Sequence, residues 1–551
     1  MNSSLPVDRS SSAPSFWQRN PSRVWAGAVF VLTVAFTYAT FPPIGIGELA
    51  YVMLLPAVMW AYREPSFKLY AGVMLGAQVV AWIGLLSWLH HVTWFGMFAL
   101  GTFIGLLNGA WFLAVWWTIP RLKGHRVFLL MMVMLGLAGL WVMGEWLRGV
   151  IFGGFPWLPL AASQWERPLV LQAASVGGAW VVSFVLVCFN LGAASYVHRI
   201  FAAGAPNLRK SGPELKWALL LLVFSAFPFL GEVMNQQRHK MARIALVQPY
   251  IPQNEKWDAA RSQAVLQAIE KVTFEANDVG VPEMIMLPEA VVPWTLFLDP
   301  NVQPWLESLA KRTGKPVLAG SIYTEGTYVK TALWYNGAFV IDPVTGLDQS
   351  GYAKRKLVPF GEFVPLRFLL GWLEKFVPIG GDFQPGSHAS LLSVTVGRNV
   401  VPVGTLICYE DVFPHLARES VRDGAELLAV MTNNGWFGEG GAAYQHATHS
   451  VLRAVENRRP LVRVGNGGWS GWIDEFGYVR LNLRDENDSV YFRGHTTTNL
   501  TRDLRWVNRQ SFYTQHGDWF LVVSAVLATL GYYLVLAWRL PPPPREDETV
   551  A

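Results

Sequence analysis

Three short stretches of this 551-residue chain carry side chains suited to covalent catalysis. The first is Leu287-Pro288-Glu289. The second runs from Lys354-Arg355-Lys356 to Phe360-Gly361-Glu362, and the third is Ile407-Cys408-Tyr409-Glu410. A thiol attacks a carbonyl as its thiolate, so Cys408 needs a base for its proton and a cation beside the charge. Glu289 offers the base and the lysine-rich stretch the cation. The chemistry they point to is acyl transfer through a cysteine. Lys354 and Lys356 stand two apart, which puts both on one face of a strand, so spacing leaves either as the cation.

These groups need a scaffold that brings them together. From about residue 240, β-rich runs at 243–248, 284–287, 317–323, 332–341, 400–407, 427–432 and 461–464 alternate with helical patterns at 258–277, 303–312, 412–423 and 444–458. That alternation predicts an α/β sheet covered by helices. In open α/β sheets chemistry gathers at the carboxyl ends of strands. Glu289 follows Ile285-Met286-Leu287 and Cys408 follows Val403-Gly404-Thr405-Leu406-Ile407, so both fall in that position. A helix beginning near Asp411 or Val412 is expected to turn its N-terminus toward a Cys408 thiolate.

The rest of the chain is written for a different solvent. Apolar residues reach 52%, and before about residue 235 they form long uncharged runs. A bilayer span takes about 20 mainly apolar residues. Such runs lie near 24–40, 48–62, 69–92, 95–119, 127–147, 169–197 and 216–233, with an eighth at 518–540; the second is short. The expected layout is a tail at 1–23, a membrane domain at 24–235 with about seven helices, and a catalytic domain at 240–505. A last transmembrane helix at 518–540 and a tail at 541–551 follow. Arg63 with Lys68, then Arg121, Lys123 and Arg126, then Arg199, Arg209, Lys210 and Lys216 mark alternate loops, whereas 41–49 and 90–95 hold no Lys or Arg. That pattern puts both termini in the cytoplasm and the catalytic domain outside.

Charge and cysteine count narrow the chemistry. The net charge is +5, with no basic cluster in the globular part, which argues against a nucleic-acid partner. Two cysteines, Cys188 inside an apolar run and Cys408, exclude a metal site built on several thiolates. Many of the 26 Trp residues flank the apolar runs, as interfacial belts do. Glu145 and Arg148 close the fifth run at i, i+3, where they can pair; charges at a span end must be paired or wetted. The stretch 363–378 is apolar but too short to span, and it reads as an amphipathic arm lying on the bilayer directly after Glu362.

The acid, lysine and cysteine resemble the triad of the nitrilase superfamily, whose members carry it in an αββα sandwich. Lys-x-x-Leu-Val-Pro-Phe-Gly-Glu, starting at Lys354, and Cys408-Tyr409-Glu410 resemble, with the multi-span half, the apolipoprotein N-acyltransferase family of bacterial inner membranes. The likeness covers nearly the whole chain. It implies a polytopic α-helical membrane domain of about eight spans plus an α/β nitrilase-like αββα sandwich facing the periplasm. It further implies Glu289 as base, Cys408 as nucleophile, Lys354 rather than Lys356 as the cation, and Glu362 as a second carboxylate. Tyr409 and Glu410 match pocket-shaping positions, and Trp257, after Gln253-Asn254-Glu255-Lys256, matches a tryptophan on an arm near the entrance. Trp436-Phe437-Gly438 and Gln445-His446 match the family's Trp-Phe-Gly and Gln-His segments. The family more often has an acidic or serine residue where Asn434 or Gly435 stands.

The implied reaction moves an acyl group from the sn-1 position of a phospholipid onto Cys408. From there it passes to the α-amino group of a diacylglyceryl-cysteine at the N-terminus of an apolipoprotein. It requires no metal or organic cofactor. Two other readings compete. A membrane-anchored nitrilase-like amidase would give the acyl group to water, and a transporter with an inert outer domain would use breaks such as Phe41-Pro42-Pro43 or Gly136 with Gly139.

Overall fold

A computed structural model of the protein describes residues 22–122, 127–202, 212–326, 332–364, 367–371 and 382–537. The expected terminal tails fall mostly outside these residues. In lipid a backbone must satisfy its own N–H and C=O groups, so the uncharged runs fold as helices. Among the described residues seven helices are long and apolar enough to cross a membrane: Arg23–Thr40, Phe67–Leu85, Trp94–Leu122, Val127–Arg148, Ala174–Phe201, Pro213–Met234 and Trp519–Ala537. The run expected at 48–62 differs. It forms a 3-10 turn, Gly47–Tyr51, and a short helix, Leu55–Ala61, with proline in the first turn of the helix. At 1.5 Å per residue the pair reaches roughly 22 Å, short of the ~30 Å hydrocarbon layer. Residues 57 to 61 are buried among the longer helices.

Close helix contacts rest on small residues, as in other membrane bundles. A Cβ on Gly101 would stand 2.8 Å from the Ile83 Cα, and one on Gly136 2.9 Å from the Gly531 Cα. Gly136 and Gly139 therefore do not break their helix, as a transporter reading would have it. They admit the last helix against an unbroken Val127–Arg148.

The catalytic half is a two-sheet sandwich. The strands are β1 (Arg238–Gln248), β2 (Met284–Met286), β3 (Val317–Glu325), β4 (Leu333–Asp342), β5 (Gly346–Leu347), β6 (Tyr352–Ala353), β7 (Leu391–Val396), β8 (Asn399–Ile407), β9 (Leu427–Thr432), β10 (Leu461–Gly465), β11 (Gly471–Ile473), β12 (Val479–Asn482) and β13 (Gly494–Asp503). One sheet runs β13-β1-β2-β3-β4-β5, with β6 beside β4, and the other β12-β11-β10-β9-β8-β7. The central pairs β1–β2, β2–β3, β8–β9 and β9–β10 are parallel.

Alternation along each strand builds three layers of core. Ile244 and Leu246 join Val403, Ile407 and Met431 between the sheets, while Ala245 and Val247 face helices Ser262–Gly280 and Val302–Thr313. The second sheet turns Leu406, Leu428 and Val430 toward helix Gly441–Asn457, and this face shares one continuous core with the membrane helices. Residues 442–443 and 445–457 are all buried. The helix thus has no water face.

Candidate active site

Glu289, Lys354 and Cys408 converge where β2, β6 and β8 end. Lys354 Nζ lies 2.8 Å from Glu362 Oε1 and 3.3 Å from Glu289 Oε1, and the lysine is only 1% exposed. Asn336, on β4, donates to both carboxylates, at 2.8 Å to Glu289 and 3.2 Å to Glu362. The Val358 N–H, at 2.8 Å, fixes the other oxygen of Glu362. Two acids, one amide and one cation thus form a closed cluster. Burial alone would strip the lysine of its proton, but Glu362 and Glu289 hold its pKa well above the usual lysine range.

Lys356 points elsewhere. Its ammonium sits 4.7 Å over the ring of Phe413. The shared-face argument fails because the strand stops at Ala353, so a two-residue period no longer applies beyond it.

Cys408 opens a 3-10 turn, Cys408–Val412, with a φ of +51°, in the left-handed region that costs a non-glycine residue about 1–2 kcal/mol. Helix Pro414–Arg422 begins later than expected, with proline in its first turn, so a turn separates the thiol from the helix N-terminus. Sγ receives the Thr432 hydroxyl at 3.4 Å and the Asn433 main-chain N–H. Burial first, then Glu289, push the thiol up to about 12 against the pull of Lys354. The resting site therefore holds a thiol and not a stored thiolate. The ultraviolet thiolate band, taken as the difference between the protein and its Cys408→Ser variant, is expected to stay flat through about pH 9. A free thiol is half ionised near about pH 8.5.

The supporting candidates divide by what they touch. Glu410 accepts from the Ile407 and Arg355 N–H groups at 2.7 and 2.6 Å and from the Tyr352 hydroxyl. It clamps the ends of β6 and β8 together. Tyr409 donates to the Gly154 carbonyl at 2.8 Å, and its ring lies against Phe155, so a membrane-half loop borders the turn that carries Cys408. His446 Nε2 lies 3.1 Å from the Cys408 carbonyl and 2.8 Å from Asp411. Burial keeps the imidazole below its ordinary value, hence neutral.

Gln445 turns away from the thiol. Its carbonyl accepts from Trp88 and Trp157, at 2.9 and 2.8 Å, and its amide donates to the Pro42 and Leu85 carbonyls. It fastens the two halves of the chain. Trp257 and Trp436 are exposed, and the Trp257 indole N–H donates to Gln253 at 3.3 Å. Glu145 and Arg148 do not bridge each other directly. Glu145 accepts from Trp141 and from the Leu160 N–H, while Arg148 donates to the Leu158 carbonyl and lies over Trp82. Both therefore hold one loop of the membrane half. Part of the arm expected at 363–378 lies outside the described residues; Phe368, on helix Arg367–Leu370, is 89% exposed.

Sequence reasoning missed Asn336, Asp411, Arg463 and Lys256. Arg463 and Asp411 pair at 2.6 Å with both side chains fully buried, beneath the turn that carries Cys408. Lys256 is buried, its ammonium 3.5 Å from the Glu289 carbonyl oxygen. Burial pushes its pKa down to about 8, with Glu289 pulling the other way. Its adjacency to Trp257 was the only signal available. Among the described residues no group of three or more His, Cys, Asp or Glu is placed to hold a metal ion.

Residues 33–192 match the apolipoprotein N-acyltransferase N-terminal domain, and residues 243–498 match the carbon-nitrogen hydrolase family. The chain is 30% identical over 519 residues to an apolipoprotein N-acyltransferase of Geobacter metallireducens, covering 91% of this chain and 94% of that one. It is 28% identical to the protein of the same name from Chlorobaculum tepidum, over 92% of this chain and 95% of the relative. With the Gloeobacter violaceus protein it shares 30% identity, over 91% of each chain. A likeness that runs through both the helical half and the sandwich makes this chain a member of the apolipoprotein N-acyltransferase family.

Proposed function

We infer that the chain acylates lipoproteins, moving a fatty acyl group from a membrane phospholipid to the N-terminal amine of a diacylglyceryl apolipoprotein. Glu289 takes the Cys408 proton as sulfur attacks the sn-1 ester carbonyl. Lys354 faces the oxyanion, the C–O bond breaks, and the lysophospholipid leaves with the proton from Glu289. A thioester remains on Cys408. The acceptor amine attacks it, Glu289 takes the amine proton and returns it to sulfur, and an amide is released. The scheme is ping-pong.

The observation that carries this reading is the meeting of the Glu289–Lys354 pair with Cys408 beside the Tyr409–Gly154 contact, where sandwich and membrane helices share a core. An ester held in a bilayer reaches such a thiol more readily than a soluble donor does. The alternating loop charges support a catalytic half outside the cytoplasmic membrane, the periplasm in a bacterium with two membranes: Arg63 and Lys68 mark the short Gly47–Ala61 pair as a seventh crossing before the sandwich, its length made up by local thinning of the bilayer.

The test is a two-stage reaction in proteoliposomes. Incubation with phospholipid alone should leave an acyl adduct on Cys408, seen by intact-mass spectrometry, together with one lysophospholipid per enzyme. Adding a diacylglyceryl lipopeptide should discharge it into the triacylated product. An adduct that decays to free fatty acid at the same rate with or without lipopeptide would instead establish the amidase-like hydrolase.

A further inference from the structure

A cavity of about 480 Å³ opens beside the nucleophile, within the range of about 300–1,000 Å³ that ligand pockets occupy. Its walls come from the segments that follow β1, β9 and β10, together with His91 at the end of the 3-10 turn Ser87–His91 of the membrane half. β9 pairs with β8 and β10 with β9, all parallel, so their carboxyl ends lie on the side of Cys408, and the segment after β1, in the facing sheet, joins them where the Ile251 N–H donates to the Asn466 side chain at 3.0 Å. One residue separates cavity from thiol. Asn433, whose N–H donates to Cys408, accepts at its side chain from Gln253 at 2.9 Å and Asn466 at 3.1 Å, and both of those line the cavity.

The chemistry of the walls selects the occupant. Glu439 is exposed and accepts from the Tyr250 hydroxyl, and Trp436 offers an exposed ring. Gly435 and Gly467 leave main chain bare: a Cβ there would stand 2.9 Å from the Gln253 amide and 3.0 Å from the Tyr250 ring. Tyr250 itself sits at φ +48°, a strained conformation of the kind that persists where a ligand is clamped. An acyl chain here would desolvate a carboxylate and several amides with nothing in return, which is unfavourable by kcal/mol amounts. A peptide main chain, with its own donors and acceptors, matches them. The peptide of an acylated cysteine must also leave on a water-facing side, because its lipid holds it to the membrane.

We propose that this cavity is the acceptor-peptide subsite, taking the first few residues after the acylated cysteine, with Glu439 favouring a basic or amide side chain over an acidic one. The proposal rests on the lipoprotein N-acyltransferase reading. It is tested with synthetic diacylglyceryl-cysteine acceptors on full-length protein in proteoliposomes. Acceptors ending at the cysteine amide should show a KM about tenfold above those extended by three residues. Glu439→Lys should reverse the preference between lysine and glutamate in the extended peptides, and Tyr250→Phe should raise the acceptor KM. Neither should change the single-turnover rate of thioester formation from phospholipid. Equal KM values for short and extended acceptors, or an unchanged preference in Glu439→Lys, would overturn the subsite. Failure of the unmodified protein to form any thioester would instead overturn the underlying reading.

Discussion

Replacing Cys408 by alanine is expected to abolish the thioester and to lower acyl transfer by about 10⁶-fold, the scale on which loss of a covalent nucleophile is felt. Serine should be nearly as inactive, since its hydroxyl is far harder to deprotonate and already the thiol stays protonated at rest. The fold should survive either change. Cys408 packs in the core between the sheets as a small apolar group, and its left-handed backbone is no worse for alanine than for cysteine. Intact-mass spectrometry after incubation with phospholipid, beside a melting curve in detergent, separates lost chemistry from lost structure. A Cys408→Ala protein that still acylates lipopeptide would sink the mechanism.

Lys354→Met strikes two functions at once. It removes the cation proposed to face the oxyanion, a loss worth about 10²–10³ in turnover. It also leaves the buried Glu289 and the partly buried Glu362, joined through Asn336, without the cation that bridges them, and Lys256 reaches only the Glu289 side of the pair. One of them must then take a proton, and a protonated Glu289 cannot act as base. Turnover should fall by at least about 10³-fold. Breaking a buried pair also destabilises by about 3–5 kcal/mol, so the melting temperature should drop as well. Because its charged partners raise the lysine pKa, the stabilisation is in place at neutral pH, below the ordinary lysine value, and on the alkaline side is lost only as pH climbs above that value. Lys356→Met is the control. Its ammonium rests on the Phe413 ring, so activity should stay within about threefold.

The ends of β2 and β8 were legible because apolar runs stop abruptly at Glu289 and Cys408. Other features were not. β13 is Thr-rich with no apolar face to betray it, and it is held by main-chain pairing to β1. The choice between Lys354 and Lys356 turns on where a two-residue strand ends, which period counting does not reveal; only the family resemblance selected Lys354. Asn336 is a single polar residue within a strand, and nothing local says that it faces two acids. The charge state of Cys408 depends on how deeply it is buried, a property of the assembled fold. Gln445 misled for a related reason. On a helix buried all round, sequence does not tell which neighbour a polar side chain meets.

The helix that carries Gln445 has a practical consequence. In a free-standing sandwich both outer layers would be wetted, but here one of them is upholstered by the bundle, with Arg453 and Glu456 paired in the dark and Glu456 accepting from the Ala179 N–H at 3.0 Å. Cutting the chain near residue 235 to obtain a water-soluble enzyme would therefore expose an oily flank and take the Ala179 N–H away from Glu456. The head is grafted to its bilayer address and has no separate existence in buffer.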